Sequence, residues 1–135
     1  MASIHKEILI GAAADQVWDA VRDVGALHTR LAPGVVLNTQ IVPDVEPLTR
    51  MVTFADGLVL REIIVDRNDS ARRLVWAINS DQVAHHNASM QVFDSGDGNA
   101  RVVWIADVLP HALKEPFGAI MDAGMAAMKR RLEGL

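Results

Sequence analysis

The sequence predicts an α+β domain: a curved antiparallel β-sheet of six to seven strands wrapped around a long C-terminal helix, with two short helices after the first strand. Three observations carry this. From residue 35 to residue 109, apolar and polar residues alternate with period two in six runs separated by turn signals. The connections are too short for parallel crossovers, so the strands form an antiparallel meander. The stretch from about 112 to 133 then takes on helical character. At ~1.5 Å per residue it is roughly 30 Å long, enough to cross a whole sheet.

The elements follow in order. Residues 3–10 are a β-prone run that Gly11 interrupts. Residues 12–24 read as a helix whose apolar face is Val17, Trp18, Val21 and Val24, with Asp15 and Asp19 near its positive end. Gly25 ends it, and a second short helix covers 26–31 before Ala32-Pro33-Gly34 stops it. The strands fall at 35–42, 48–55, 58–66, 72–79, 84–94 and 100–109. Between them lie Pro43-Asp44 with Pro47, Asp56-Gly57, Arg67-Asn68-Asp69, Ser80-Asp81 and the Asp94–Asn99 turn. Pro110 ends the last strand. The 135 residues make one domain, with no repeat and no linker.

Composition excludes several function classes. A net charge of −4 lacks the clustered basic face that nucleic acid requires. The one basic cluster, Lys129-Arg130-Arg131, complements the dipole of the last helix. Without cysteine there is no disulfide framework and no thiolate chemistry. No leader-like or membrane-spanning apolar stretch is present, so the expectation is a soluble cytoplasmic protein with no stable membrane insertion.

The last helix points to function. Its apolar stripe is Met121, Met125 and Met128 beside Gly118, Ala119, Ala123, Gly124, Ala126 and Ala127. Cores normally reach crystal-like density with bulky side chains. Thioethers beside glycine and alanine instead describe a helix lying over a space that it does not fill, one that an adaptable lining can share with a guest.

Several strings, in order, carry a resemblance. They are Ala14-Asp15-Gln16-Val17-Trp18, Val24-Gly25, Ala32-Pro33-Gly34-Val35, Arg50 through Asp56-Gly57, Arg61-Glu62, Asp66 through Leu74 with Trp76, and Asn99 through Trp104. The chain resembles, over nearly its whole length, the START-like or helix-grip superfamily and its polyketide cyclase/dehydrase-like branch. The resemblance implies an interior cavity and small hydrophobic ligands. It is specific for fold and not for chemistry. Where the family often has a tyrosine and an aromatic residue, this chain has Trp76 and His86, and it has no tyrosine at all. Aromatases that act through a tyrosine are therefore poor guides to its mechanism.

By the same matching, Val102, Trp104, Ala106 and Val108 point inward, as do Leu60, Glu62, Ile64, Leu74, Trp76, Ile78, His86, Ala88, Met90 and Val92. The ligand-binding residues expected are Trp76, Met90, Trp104, Met121 and Met125, with Arg30 and, beside it, His28 placed at the cavity mouth by resemblance; a surface helix end is the favoured alternative for these two. The bland alternative for the tryptophans and methionines is ordinary core filling. Glu62 and His86 are the candidate catalytic residues for proton transfer at a substrate carbonyl. Placed inward, the Glu62 carboxylate needs a partner, and His86 is the candidate, a hydrogen-bonded pair without chemistry being the competing reading; the alternative is an outward-facing Glu62 paired with Arg50 or Arg61.

No metal or cofactor is expected. His85 and His86 point to opposite faces and cannot chelate one ion together, and the Asp94–Gly98 stretch is a hairpin turn without the distal glutamate of a calcium loop. Two functions remain. The first is binding of a small hydrophobic or aromatic molecule, with cyclase or dehydratase activity left open. The alternative is a non-catalytic, dimeric or protein-interaction subunit with a filled core, because the outward residues Val59, Ile63, Val65, Val75, Val103 and Ile105 are also apolar.

Overall fold

The computed structural model describes residues 2–134. Its elements, in chain order, are β1 (Ala2–Ile10), α1 (Ala14–Arg22), a π-helical turn (Leu27–Leu31), β2 (Val36–Ile41), β3 (Thr49–Phe54), β4 (Val59–Asn68), β5 (Arg73–Ile78), β6 (His85–Gly96), β7 (Asn99–Leu109), a 3-10 turn (His111–Leu113) and α2 (Lys114–Leu132). The seven strands form one antiparallel sheet in the order β1-β7-β6-β5-β4-β3-β2. The expected architecture is present, and each strand lies within two residues of its sequence-derived bounds. The second short helix differs: it is a single π-helical turn, closed by the Ala32 amide donating to Leu27 O at 2.8 Å. Only seven residues separate Gly25 from Pro33, and five of them form this turn.

Amphipathic patterning decides what each helix covers. α1 buries Val17, Trp18 and Val21 over β6 and β7. Its polar side is held by Asp69, which accepts from Trp18 Nε1 (3.0 Å) and Arg22 Nε (2.8 Å). α2 lies against β1 and the π-helical turn and stands away from the middle strands. Its basic end is a latch. Lys129 Nζ donates to Leu9 O (2.8 Å) and Glu133 Oε2 (2.7 Å), while Arg131 Nε donates to Thr29 O (3.0 Å). The cluster read as a dipole complement thus also ties the helix end to β1 and to the π-helical turn.

Strand parity holds until a bulge breaks it. Ile64 pairs with Trp76, but Asp66 pairs with Val75, so Val65 is an extra residue without a partner on β5. It is 56% exposed. Beyond it the faces exchange, and Arg67 sits opposite inward Leu74. A second bulge leaves Leu37 unpaired on the β2 edge, 57% exposed.

Candidate functional site

Because α2 stands away from β4, β5 and β6, side chains must span the gap. They leave an interior chamber of about 70 Å³, lined by β2–β7, α1, the π-helical turn and α2. Trp76 and Trp104 meet tilted at 53° with centroids 5.9 Å apart. Phe117 packs on the His86 ring at 5.5 Å. Met90, Met121 and Met128 complete much of the apolar lining.

The small residues of α2 behave differently from the sequence reading. Ala119, Ala123 and Ala126 face solvent and have no part in the interior. Gly124 does face inward, but a Cβ placed there would lie 3.1 Å from Trp104 Cζ3. The tryptophan ring takes up the space that glycine leaves. This is why the hollow is small: an apolar cavity able to hold benzene is ~150 Å³, about twice this one.

Antiparallel register sets the polar groups in one row across the sheet. Arg50 pairs with Glu62, Glu62 with Ile78, and His86 with Val108. Arg50 and Glu62 are 3% and 5% exposed. Arg50 Nε and Nη2 both donate to Glu62 Oε1 at 2.8 Å, and Arg50 Nη1 donates to Val24 O at 3.2 Å. The guanidinium also lies 5.7 Å from the Trp76 ring centroid. Glu62 is therefore partnered by Arg50, not by His86. Its Oε2 makes no hydrogen bond among the described residues.

His86 is held from the other side. The Ile78 amide N–H donates to His86 Nδ1 at 3.1 Å, which places the ring proton on Nε2. Burial is the main force lowering its pKa, to about 4, with repulsion from His85 adding to it. At neutral pH it is an uncharged imidazole whose Nε2–H makes no hydrogen bond among the described residues. A salt link to Glu62 would have raised this pKa, and no such link forms. Trp104 Nε1 is the one enclosed side-chain polar atom with no partner among the described residues.

The sequence-derived site residues divide accordingly. Glu62, His86, Trp76, Met90, Trp104 and Met121 come together around the chamber. Met125 is buried (4% exposed) but packs in the core away from the lining. Arg30 does not reach the chamber: it pairs with Asp19 (2.6 Å) and Asp23 (3.0 Å) beside an outer cleft. Asp19 on α1 and Asp23 just past its end hold it there. His28 Nδ1 lies 3.1 Å from Thr39 Oγ1 instead of facing a mouth. The sequence reading had Arg50 only as a partner for an outward-facing Glu62, whereas both are buried on the inner face. The signal that could have singled it out is an arginine opposite a glutamate on paired strands of inward parity. Among the described residues no cluster of three metal-ligating side chains occurs, and no helix is long and apolar enough to cross a membrane.

Comparison with known proteins places this geometry in context. The family model described as polyketide cyclase/dehydrase and lipid transport matches residues 1–135. No curated protein matches the chain. Among solved structures, a START superfamily protein from Mycobacterium smegmatis is 15% identical, with 98% of this chain and 97% of that one covered and a TM-score of 0.78. The di-domain ARO/CYC BexL from the BE-7585A biosynthetic pathway is 20% identical, with 98% and 47% covered and a TM-score of 0.76. Norcoclaurine synthase from Thalictrum flavum is 21% identical, with 98% and 84% covered and a TM-score of 0.73. At these identities the likeness is one of fold.

Proposed function

The chain belongs to the polyketide cyclase/dehydrase and lipid transport family, and we propose that it binds a small hydrophobic or aromatic molecule in the chamber between α2 and the concave sheet face. The observation that carries this reading is an apolar lining with three polar side chains, Arg50, Glu62 and His86. Few convergent polar groups in an apolar pocket describe a small-molecule site. A ring-sized guest needs more room than about 70 Å³, so binding displaces lining side chains such as the half-buried Leu27, Phe117 and Ile120.

The same site supports cyclase- or dehydratase-type proton transfer on a polyketide-like substrate. Glu62 Oε2 is the base that removes a proton next to a carbonyl. The neutral His86 Nε2–H polarises the carbonyl oxygen but does not surrender its proton at neutral pH. Arg50 is a positioning residue, since both of its contacts fix Oε1 and leave Oε2 available. The absence of cysteine agrees with a cytoplasmic setting.

Thermal denaturation with aromatic and polyketide-like compounds tests binding: a ligand at 100 times its Kd adds about 2.7 kcal/mol. The variant Ala106→Leu, which fills the chamber, is expected to remove that gain. Uniform failure of such compounds to stabilise the protein overturns the reading. For catalysis, Glu62→Gln should abolish turnover while binding persists.

A second reading rests on the convex face, where Val59, Val65 and Ile105 are 50%, 56% and 37% exposed. It makes that face a homodimer or protein-interaction surface. Sedimentation of the native chain against Ile105→Lys tests it, and a monomer in both cases removes it.

A further inference from the structure

The hydrogen-bonding inventory of the chamber is unbalanced. Arg50 has five N–H groups, of which Nε, one on Nη1 and one on Nη2 are committed, leaving two. His86 adds its Nε2–H, and the Trp104 indole N–H is enclosed without a partner. Against these donors stands one uncommitted acceptor atom, Glu62 Oε2. Trp76 adds a further indole N–H to the donors, and the other lining residues are apolar side chains and Gly124.

The charge inventory is closed. The Arg50 cation and the Glu62 carboxylate neutralise each other at 2.8 Å, His86 is uncharged, and no other ionisable residue lines the chamber. A carboxylate, phosphate or ammonium entering it would be buried without a counter-ion, which is strongly unfavourable.

We propose that the chamber selects an uncharged, acceptor-rich ring compound that gives a hydroxyl hydrogen to Glu62 Oε2 and receives the His86 Nε2–H on a carbonyl oxygen, the two contacts lying on either side of Ile78. This rests on the reading of the chamber as a ligand site and narrows it. Anionic lipids and free fatty acids are excluded from the site. The two polar contacts come from strands β4 and β6, which flank β5 at a spacing of roughly 4.8 Å each, so the ligand spans Ile78 with a flat apolar body. That body lies beside Trp76 and Trp104, whose π faces match a ring.

Isothermal titration of the full chain at neutral pH with four ring compounds of similar size tests the assignment. para-Hydroxyacetophenone has both hydrogen-bonding groups, para-ethylphenol lacks the carbonyl, para-hydroxybenzoate is an anion and tyramine is a cation. The expected order is the ketone first, the ethylphenol about tenfold weaker for one lost hydrogen bond, and the two ions weakest. The variant His86→Leu should erase the ketone's advantage over ethylphenol, whereas His86→Gln, which keeps a side-chain N–H donor, should retain it. Equal affinity for ketone and ethylphenol, or tighter binding of either ion, overturns this inference while leaving a ligand chamber in place. Should none of the four bind, and Ala106→Leu change nothing, the chamber reading falls with it.

Discussion

The two faces of the same strands solve the same problem in opposite ways. On the concave face, Leu60, Ile64, Leu74, Trp76, Ile78, Met90 and Val102 are buried, and so are Arg50, Glu62 and His86. The convex face carries nearly as many apolar residues but deals with them one at a time. Val103 is only 8% exposed because Gln91 and Glu7 flank it in register, and Arg101 pairs with that Glu7. Ile105, one β-step along β7, is 37% exposed. Side-chain charges on the convex face pair across strands in water, where a pair is worth ~0–1 kcal/mol. The Arg50–Glu62 pair inside has no such freedom, because neither charge is tolerated there without the other. Hydrophobicity alone therefore does not distinguish an enclosed surface from a solvent-facing one; the fate of its charges does.

The largest expected break in this contrast is Arg50→Met. It strands the Glu62 carboxylate in the chamber wall and should cost about 3–5 kcal/mol by chemical denaturation. Removing both charges in Arg50→Met/Glu62→Leu should recover most of that loss. Full stability of the single variant would mean that water reaches Glu62 freely.

Next comes pH. His86 has a folded pKa of about 4 against an unfolded value near 6.5, so between these values the unfolded chain binds the extra proton. Stability should therefore rise with pH across that window and level off outside it. The loss on acidification is up to roughly 3 kcal/mol from this residue. His86→Leu should remove that share of the slope, and identical slopes in the two proteins would show the imidazole to be solvated.

Gly124→Ala should move stability by no more than about 1 kcal/mol, since the helix-propensity gain opposes the tight contact with Trp104. It should nevertheless weaken ring-compound binding, because the Trp104 ring is pushed toward the space the guest needs. A full gain of ~1 kcal/mol would show that the ring moves aside without cost. Smallest of all is Ile105→Lys on the convex face, expected within about ±0.5 kcal/mol if the face meets only water. A larger loss, with a change in sedimentation, would favour the interface reading.

Much of this was legible in the chain, and the reasons are local. Turn chemistry at Asp56-Gly57, where Gly57 adopts φ +92°, and at Asp94–Asn99 marked hairpin positions that the structure keeps. Resemblance chose which parity faces inward and so placed Glu62, Trp76 and His86 on one face, and parity survives as long as no residue is inserted. Val65 shows where it fails: nothing in Ile63-Ile64-Val65-Asp66 announces a bulge. The methionine–glycine–alanine helix was read as a measure of empty space. Composition counts the volume that α2 lacks but is blind to a ring arriving from β7. Arg30 was drawn toward the mouth by resemblance, and Asp19 and Asp23 hold it elsewhere.

Periodicity, turn residues and length determined the sheet, its antiparallel order and the closing helix, because each depends on neighbours a few residues apart. Which acid met which base was decided only when β3, β4, β5 and β6 came into register. That event joined Arg50 to Glu62 and gave the His86 ring an amide proton from Ile78. Pairings across a sheet are chosen by geometry among residues far apart in the chain, and their energies, larger than any local propensity, exist only once water has been excluded from between them.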